Sequence, residues 1–348
     1  MKKRVLLGMS GGVDSAVAAL LLKRDGYDVI GATFRLWTGE GSEAERGIED
    51  AARICQDLGI THVVLDLEAC FHAEVIGRFV AAYENGETPN PCVTCNRYIK
   101  FSKLLEEADR LGAEYVATGH YAVIEKAFDG RFLLKKAADG EKDQSYFLYT
   151  LTQEQLSRVL FPLGAYTKAQ VRALASENQL ANARKRDSQD ICFVKDGDYA
   201  AFIEAYTGRR FPCGNFIDVC GRVLGKHNGM IRYTVGQRKG LGISLGAPAF
   251  VLAKDPKENT VTLGENEALF SSSLMARDAC FVCEVEIGKA LCVEAKIRNT
   301  QVQTPAVVTR IEKDRFRVDF DIPQRAISKG QSVVLYDGDT VLGGGTIE

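Results

Sequence analysis

No run of apolar residues in this 348-residue chain approaches the ~20 that cross a bilayer, which excludes a membrane-spanning helix. An export signal is lacking as well. Lys2, Lys3 and Arg4 precede an apolar stretch, but it breaks at the glycines after Met9, too early for such a signal. Charge of one sign is also missing: 44 basic against 46 acidic residues leave a formal net charge of −2. That balance argues neither for nor against a nucleic-acid partner, which needs only a local basic face. Repeats and low-complexity linkers are absent too. A cytoplasmic protein of two or three domains is expected, with 46% hydrophobic residues to build its cores. Cysteine, by contrast, is plentiful. In a reducing compartment ten cysteines read as catalytic or metal-binding before they read as disulfides.

The most informative stretch is Gly8-Met9-Ser10-Gly11-Gly12-Val13-Asp14-Ser15. A short apolar run, Arg4–Met9, leads into it, and a helix pattern follows as far as Gly26. A strand, a glycine-rich turn and a helix N-terminus make an anion site, because N–H groups converge there and the helix dipole adds positive charge. No lysine follows the glycines, so the Walker-type loop is excluded. The motif resembles the pyrophosphatase loop of enzymes that split ATP into AMP and pyrophosphate.

Up to about residue 120 strand and helix signals alternate. Strands are expected at 28–34, 62–67 and 115–117, and helices at 43–58, 69–83 and 98–111. The fold class is α/β: a doubly wound parallel sheet with its ligand at the strands' carboxyl ends. The first loop, Phe34 and the stretch Thr118-Gly119-His120-Tyr121 all lie at such ends. Residues 121–136 read as a hairpin turning at Asp129-Gly130, and helices are expected at 152–160 and 167–178. Beyond about 199 short, glycine-separated and then alternating runs predict a small β-rich middle segment and a C-terminal β-barrel. The expected divisions are 1–198, 199–268 and 269–348.

Thr88-Pro89-Asn90-Pro91-Cys92-Val93-Thr94-Cys95 places Cys95 beside a helix N-terminus, a position expected to lower a thiol pKa. Cys192 follows the cations of Arg184-Lys185-Arg186. Together with the loop, GATF, YIKF, ATGHY, KDQSYFL, FPLG, DSQDICF, GQRKGLGI, QRAISKGQ and LGGG, these stretches resemble the tRNA-specific 2-thiouridylases over nearly the whole chain.

The resemblance implies that ATP lies on Gly8–Ser15 with Phe34 and Gly119 near it, and that Mg2+ offsets phosphate charge with help from Asp14. It implies a catalytic set of Asp14, Cys95 and Cys192, in which a Cys192 persulfide supplies sulfur and Cys95 is the partner thiol. It maps contacts with tRNA and its target base to Asn90, Pro91, Cys92, Lys142, Asp143, Gln144, Arg298 and Asn299. Relatives often carry an aromatic where Asn299 stands. The implied partners are tRNA and a sulfur-relay protein fed by a cysteine desulfurase.

Some members of the family have aspartate where Cys92 stands. Here Cys92, Cys95 and Cys192 together offer the three thiolates that an iron–sulfur cluster with an open iron would use, an alternative to persulfide chemistry. Gln237–Gly240 and Arg184–Arg186 read equally as phosphate contacts or as solvated charge. His120 reads as an ATP contact or a loop anchor. Cys280 and Cys283, and the scattered Cys55, Cys70, Cys213, Cys220 and Cys292, read as structural packing. Two other readings compete: a ligase that adenylates a small metabolite, which would need no paired thiols, and a non-catalytic RNA-binding paralogue.

Overall fold

The computed structural model describes every residue except 1, 38–42, 184, 186–190, 195, 196, 245 and 284, and the side chains of 43 and 44. Arg184 and Arg186, read equally as phosphate contacts or as solvated charge, lie outside the described residues.

Among the described residues seven strands precede residue 161: β1 (Arg4–Gly8), β2 (Asp28–Arg35), β3 (Thr61–Asp66), β4 (Tyr115–Ala117), β5 (Val123–Lys126), β6 (Phe132–Lys135) and β7 (Val159–Leu160). Five of them form a parallel sheet in the order β3-β2-β1-β4-β7. Their apolar runs suit burial on both faces: Val5, Leu6 and Leu7 are fully inaccessible to solvent. The chain leaves β1 toward β2 and returns on its other side as β4, so the order reverses beside β1. Ligand crevices form at such a reversal, and the glycine-rich loop sits at that end of β1.

One expectation is corrected here, and a second is borne out and placed in its sheet. Residues 159 and 160, read as the end of a helix, are instead an edge strand. The helix stops at Arg158, and Val159 turns extended to pair with Val116. The hairpin of β5 and β6 exists, with Gly130 at positive φ in its turn. It belongs, however, to the sheet of the C-terminal barrel, where Lys135 and Leu134 pair with Thr340 and Val341.

The middle segment holds β8 (Gly214–Ile217), β9 (Val223–His227), β10 (Phe250–Asp255) and β11 (Thr260–Gly264), ordered β10-β11-β8-β9 over Phe216, Val251 and Val261. The last six strands are β12 (Phe270–Phe281), β13 (Ala290–Lys296), β14 (Thr304–Arg310), β15 (Phe316–Arg325), β16 (Ser332–Asp337) and β17 (Thr340–Ile347). They close into an antiparallel barrel because β12 pairs with both β15 and β17. Strand alternation puts Val318 and Phe316 inside and Arg317 outside. Gly344 and Gly345 are required in β17: a Cβ would fall 2.4 Å from the Val333 carbonyl oxygen or 2.6 Å from that of Arg277.

Among the described residues no helix is long and apolar enough to cross a membrane.

Candidate active site

The glycine-rich loop is held from both sides. The Met9 N–H donates to the Ala32 carbonyl at 2.7 Å, and the Thr33 hydroxyl donates to the Met9 carbonyl at 2.8 Å. Gly11 has φ +70°, and a Cβ there would lie 2.6 Å from the Gly47 carbonyl oxygen. Gly12 caps the following helix, Val13–Arg24, and the Ser15 hydroxyl donates back to its carbonyl at 3.1 Å. The Gly12 N–H reaches the Ser10 hydroxyl at 3.4 Å. Beneath the loop, Asn182 and Lys185 donate to the Gly11 carbonyl at 3.2 and 3.3 Å, and Lys185 also pairs with Asp50. The first N–H groups of a helix have no intrahelical acceptor, so the loop keeps the donors an anion requires.

Gly119 packs directly on this helix start. A Cβ there would sit 3.0 Å from both the Asp14 carbonyl carbon and the Ser15 nitrogen. Its neighbour His120 bonds the Thr118 hydroxyl at 2.7 Å and packs in a three-ring cluster with Phe101 and Phe161. Burial, with the Lys100 cation adding to it, holds the imidazole neutral well below its usual range. These contacts make His120 an anchor of its loop. Phe34, at the end of β2, packs against the core beneath the sheet.

Asp14 receives Lys168 Nζ at 2.8 and 2.9 Å and the Tyr121 hydroxyl at 2.8 Å. Tyr121 is in turn fixed by Gln144, whose side-chain oxygen accepts from its N–H and whose own N–H donates to its carbonyl, both at 2.9 Å.

The cysteines stand on a continuous helix of unusual build. It starts at Pro91, which needs no N–H donor there, passes through a π-helical turn at Asn96–Lys100, and ends at Arg110. Cys92 is exposed, whereas Cys95 retains 7% of its accessible surface. Phe193 packs with Cys95, Ile99, Phe71 and Phe79 in one apolar cluster, and this anchors the neighbouring Cys192, which is exposed.

The expected lowering of the Cys95 pKa is overturned. Cys95 lies a full turn inside the helix, and burial pushes its thiol up to about 12. Cys92 and Cys192 are also raised by the protein packed around them. The three thiolates would repel one another: Cys92 acts on Cys192, and both act on Cys95. Lys100 counters this at all three. Among the described residues, no three His, Cys, Asp or Glu side chains form a set that could hold a metal ion. As placed, Cys92, Cys95 and Cys192 therefore do not make the open cluster site weighed from the sequence.

The loop preceding Cys92 joins all three parts of the chain. Glu87 pairs with Arg277 at 2.9 Å, and its carbonyl accepts from Lys254 Nζ at 3.4 Å. The Thr88 N–H donates to the Lys329 carbonyl at 2.7 Å, and Gln331 returns a bond to the Thr88 carbonyl at 2.8 Å. Asn90 caps the helix with its backbone and Pro91 is buried. Asp143 is buried, accepting from the Ala137 and Ser145 N–H groups and the Ser145 hydroxyl. Lys142 stands beside it in the same turn. Arg298 donates to the Ala326 carbonyl at 2.6 Å, and Asn299 has a buried side-chain oxygen without a hydrogen-bond partner. Arg238 and Lys239 are exposed. Cys213, Cys220 and Cys292, expected in packing, are exposed as well; Cys292 occupies an outward position of β13 while Val293 points in.

Three family models match: a tRNA methyl transferase HUP domain over residues 3–196, a tRNA methyl transferase PRC-barrel domain over 200–265 and an aminomethyltransferase β-barrel domain over 271–347. The tRNA-specific 2-thiouridylase MnmA of Clostridioides difficile is 49% identical, covering 100% of this chain and 99% of its own. That of Acetivibrio thermocellus is 48% identical, with 100% and 99% covered. The chain belongs to the tRNA-specific 2-thiouridylase family.

Two solved structures are similar to part of the 2-thiouridylase chain. The U34-tRNA thiolase NcsA from Methanococcus maripaludis with its [4Fe-4S] cluster covers 59% of this chain and 66% of its own, at 19% identity and a TM-score of 0.36. A 4-thiouridine synthetase–RNA complex with bound ATP covers 55% and 44%, at 19% identity and 0.36.

Lys168 and Asn182 of this thiouridylase site escaped sequence reasoning, and Lys100 and Tyr121 were quoted only within the stretches YIKF and ATGHY, with no role of their own. Lys100 could have been found from its spacing once a π-turn was assumed. Lys168 lies 154 residues from Asp14, and nothing local marks it.

Proposed function

We propose that this chain uses ATP to exchange the C2 oxygen of the wobble uridine of tRNA for sulfur. The observation that carries the reading is the short path between two chemistries. Gly119 presses on the anion-binding helix start, and the Lys100 cation that acts on its neighbour His120 also acts on the three thiols. This supports a reading in which activation and sulfur transfer share one site.

In the first step the uridine O2 attacks the α-phosphorus of ATP. The bond from that phosphorus to the bridging oxygen breaks, pyrophosphate leaves and the N3 proton is released. The loop N–H groups and helix dipole stabilise the phosphate charge. Mg2+, when bound, would neutralise more of it, and Asp14 would help to hold that ion. In the second step the outer sulfur of a Cys192 persulfide attacks C2 and AMP leaves. The Cys95 thiolate then attacks Cys192 Sγ. A Cys95–Cys192 disulfide forms, the sulfur stays on C2, and N3 regains a proton. An external dithiol reduces the disulfide, and a persulfide-bearing relay protein reloads Cys192.

One observation favours a second partner for Cys192. Cys92 is exposed beside it, whereas Cys95 is buried and its thiol is held protonated. In this reading Cys92 attacks first and Cys95 lies behind it in the C-x-x-C pair.

We read Asn90, Pro91 and Cys92 as facing the everted base. Lys142, with Arg298 and Asn299, faces the surrounding RNA. Asp143 and Gln144 act by holding that turn and Tyr121 in place. A cytoplasmic setting follows from the tRNA substrate.

The test is incubation with ATP, unmodified tRNA and a persulfide-bearing donor protein charged by a cysteine desulfurase, with no free sulfide, followed by nucleoside analysis for 2-thiouridine. The wild type should form it and Cys192→Ala should not. Full thiolation by Cys192→Ala would remove Cys192 as sulfur carrier.

A further inference from the structure

The anion-binding loop carries no lysine of its own, yet a lysine reaches it from elsewhere. Lys168 is the first residue of the helix Lys168–Glu177, where a cation opposes the positive end of the helix dipole. Its side chain is only 11% exposed, a second unfavourable condition for an ammonium. Helix propensity and packing do not explain a charge in that position. The Asp14 carboxylate does: it takes both short contacts from Lys168 Nζ and is itself 33% exposed at the loop surface.

The surroundings hold this lysine in place. Thr167 and Gln170 form a reciprocal cap at the helix start, and the Lys168 N–H donates to Asp139 at 2.8 Å. Tyr121 fixes Asp14 from the other side, and Lys168 Nζ lies 5.9 Å from that ring's centroid. The pair is therefore built and sits at the start of the loop helix, where a polyphosphate would bind.

We propose that Lys168 is the phosphate-binding lysine of this loop, supplied by a distant helix and held on Asp14 until the polyphosphate of ATP arrives. The inference rests on the reading of the loop as an ATP site. Binding would exchange partners without stranding a charge: the ammonium moves from a carboxylate to phosphate oxygens, and the carboxylate is left for a cation. Because it would touch the β- and γ-phosphates, Lys168 should matter for ATP and pyrophosphate but not for AMP.

The experiment is calorimetric titration of wild type, Lys168→Gln and Lys168→Arg with ATP, pyrophosphate and AMP in the presence of Mg2+, without tRNA. Lys168→Gln should bind ATP and pyrophosphate at least about ten-fold more weakly, with AMP affinity within about two-fold of wild type. Lys168→Arg, which keeps the charge, should recover most of the loss. Equal losses for ATP and AMP would mark Lys168 as merely structural and overturn the proposal, as would unchanged pyrophosphate binding. Should Lys168→Gln fail to fold, Lys168→Arg decides: pyrophosphate binding lost with AMP binding would overturn the proposal, and both retained would support it. A wild type that bound neither ATP nor pyrophosphate would bring down the loop reading as well. If only the Gln variant behaved unexpectedly, the loop reading would stand.

Discussion

The side-chain amide of Gln331 donates to the carbonyl oxygen of Thr88 at 2.8 Å, tying the barrel to the loop that delivers Cys92. The bond spans 243 residues of chain, and it means that the barrel sets the position of the reactive helix. Gln331→Ala should cost about 1 kcal/mol of stability. It should slow thiolation about five-fold by loosening the approach to Cys92. ATP affinity should stay unchanged. Denaturant unfolding and single-turnover thiolation, measured on the same preparation, check both halves.

Gly119 cannot accept a side chain without moving the helix start that it touches. Gly119→Ala places a methyl group 3.0 Å from backbone atoms of Asp14 and Ser15, which cannot swing aside as a flexible side chain would. Overpacking of this kind costs about 2 kcal/mol. ATP affinity should fall about ten-fold or more because the loop donors are displaced. Thermal melting and ATP titration measure the two effects.

Removing the partner thiols should strand the intermediate. In a Cys92→Ser, Cys95→Ser double variant the persulfide sulfur can still attack C2, but nothing resolves the Cys192–S–S–C2 linkage. A covalent tRNA adduct should accumulate on non-reducing gels and disappear on adding dithiothreitol. The single variants then identify the resolving thiol: the one that traps the adduct supplies it.

Alkaline pH should destabilise the fold through Cys95. The thiol is raised to about 12 in the folded chain, against about 8.5 when unfolded. Below pH 8.5 both states are protonated and the raised value costs nothing. Between about 9 and 12 the unfolded state loses its proton first, so it binds fewer protons and stability falls with rising pH. Cys55, raised to about 11 by burial, acts in the same direction. Unfolding midpoints at pH 7.5, 9 and 10 should decline steadily, and Cys95→Ala should flatten the decline.

The first loop and the sheet around it were legible because both are local. Two glycines, a strand before and a helix after dictate that turn whatever lies elsewhere. The hairpin turn at Asp129-Gly130 was legible for the same reason, but its partner strand was not, since pairing with β17 is a tertiary choice. Val159 and Leu160 read as helix because two residues cannot display alternation. The cysteines were legible as reactive types and misread in their electrostatics. Proximity to a helix N-terminus is visible in sequence, but the burial that outweighs it at Cys95 comes from Phe193 and the rest of that apolar cluster. Lys168 was illegible for a related reason: its partner is chosen by helix packing.

The pairing of β6 with β17 also orders events in time. The hairpin leaves the ribosome early, yet the edge it must join is made of Thr340 and Val341, about 200 residues later. During synthesis the nucleotide-binding sheet can assemble while this hairpin still offers an open strand to whatever is nearby. The molecule seals that edge only once β17 has been made, so a nascent chain stalled in the barrel would expose it for as long as the stall lasts.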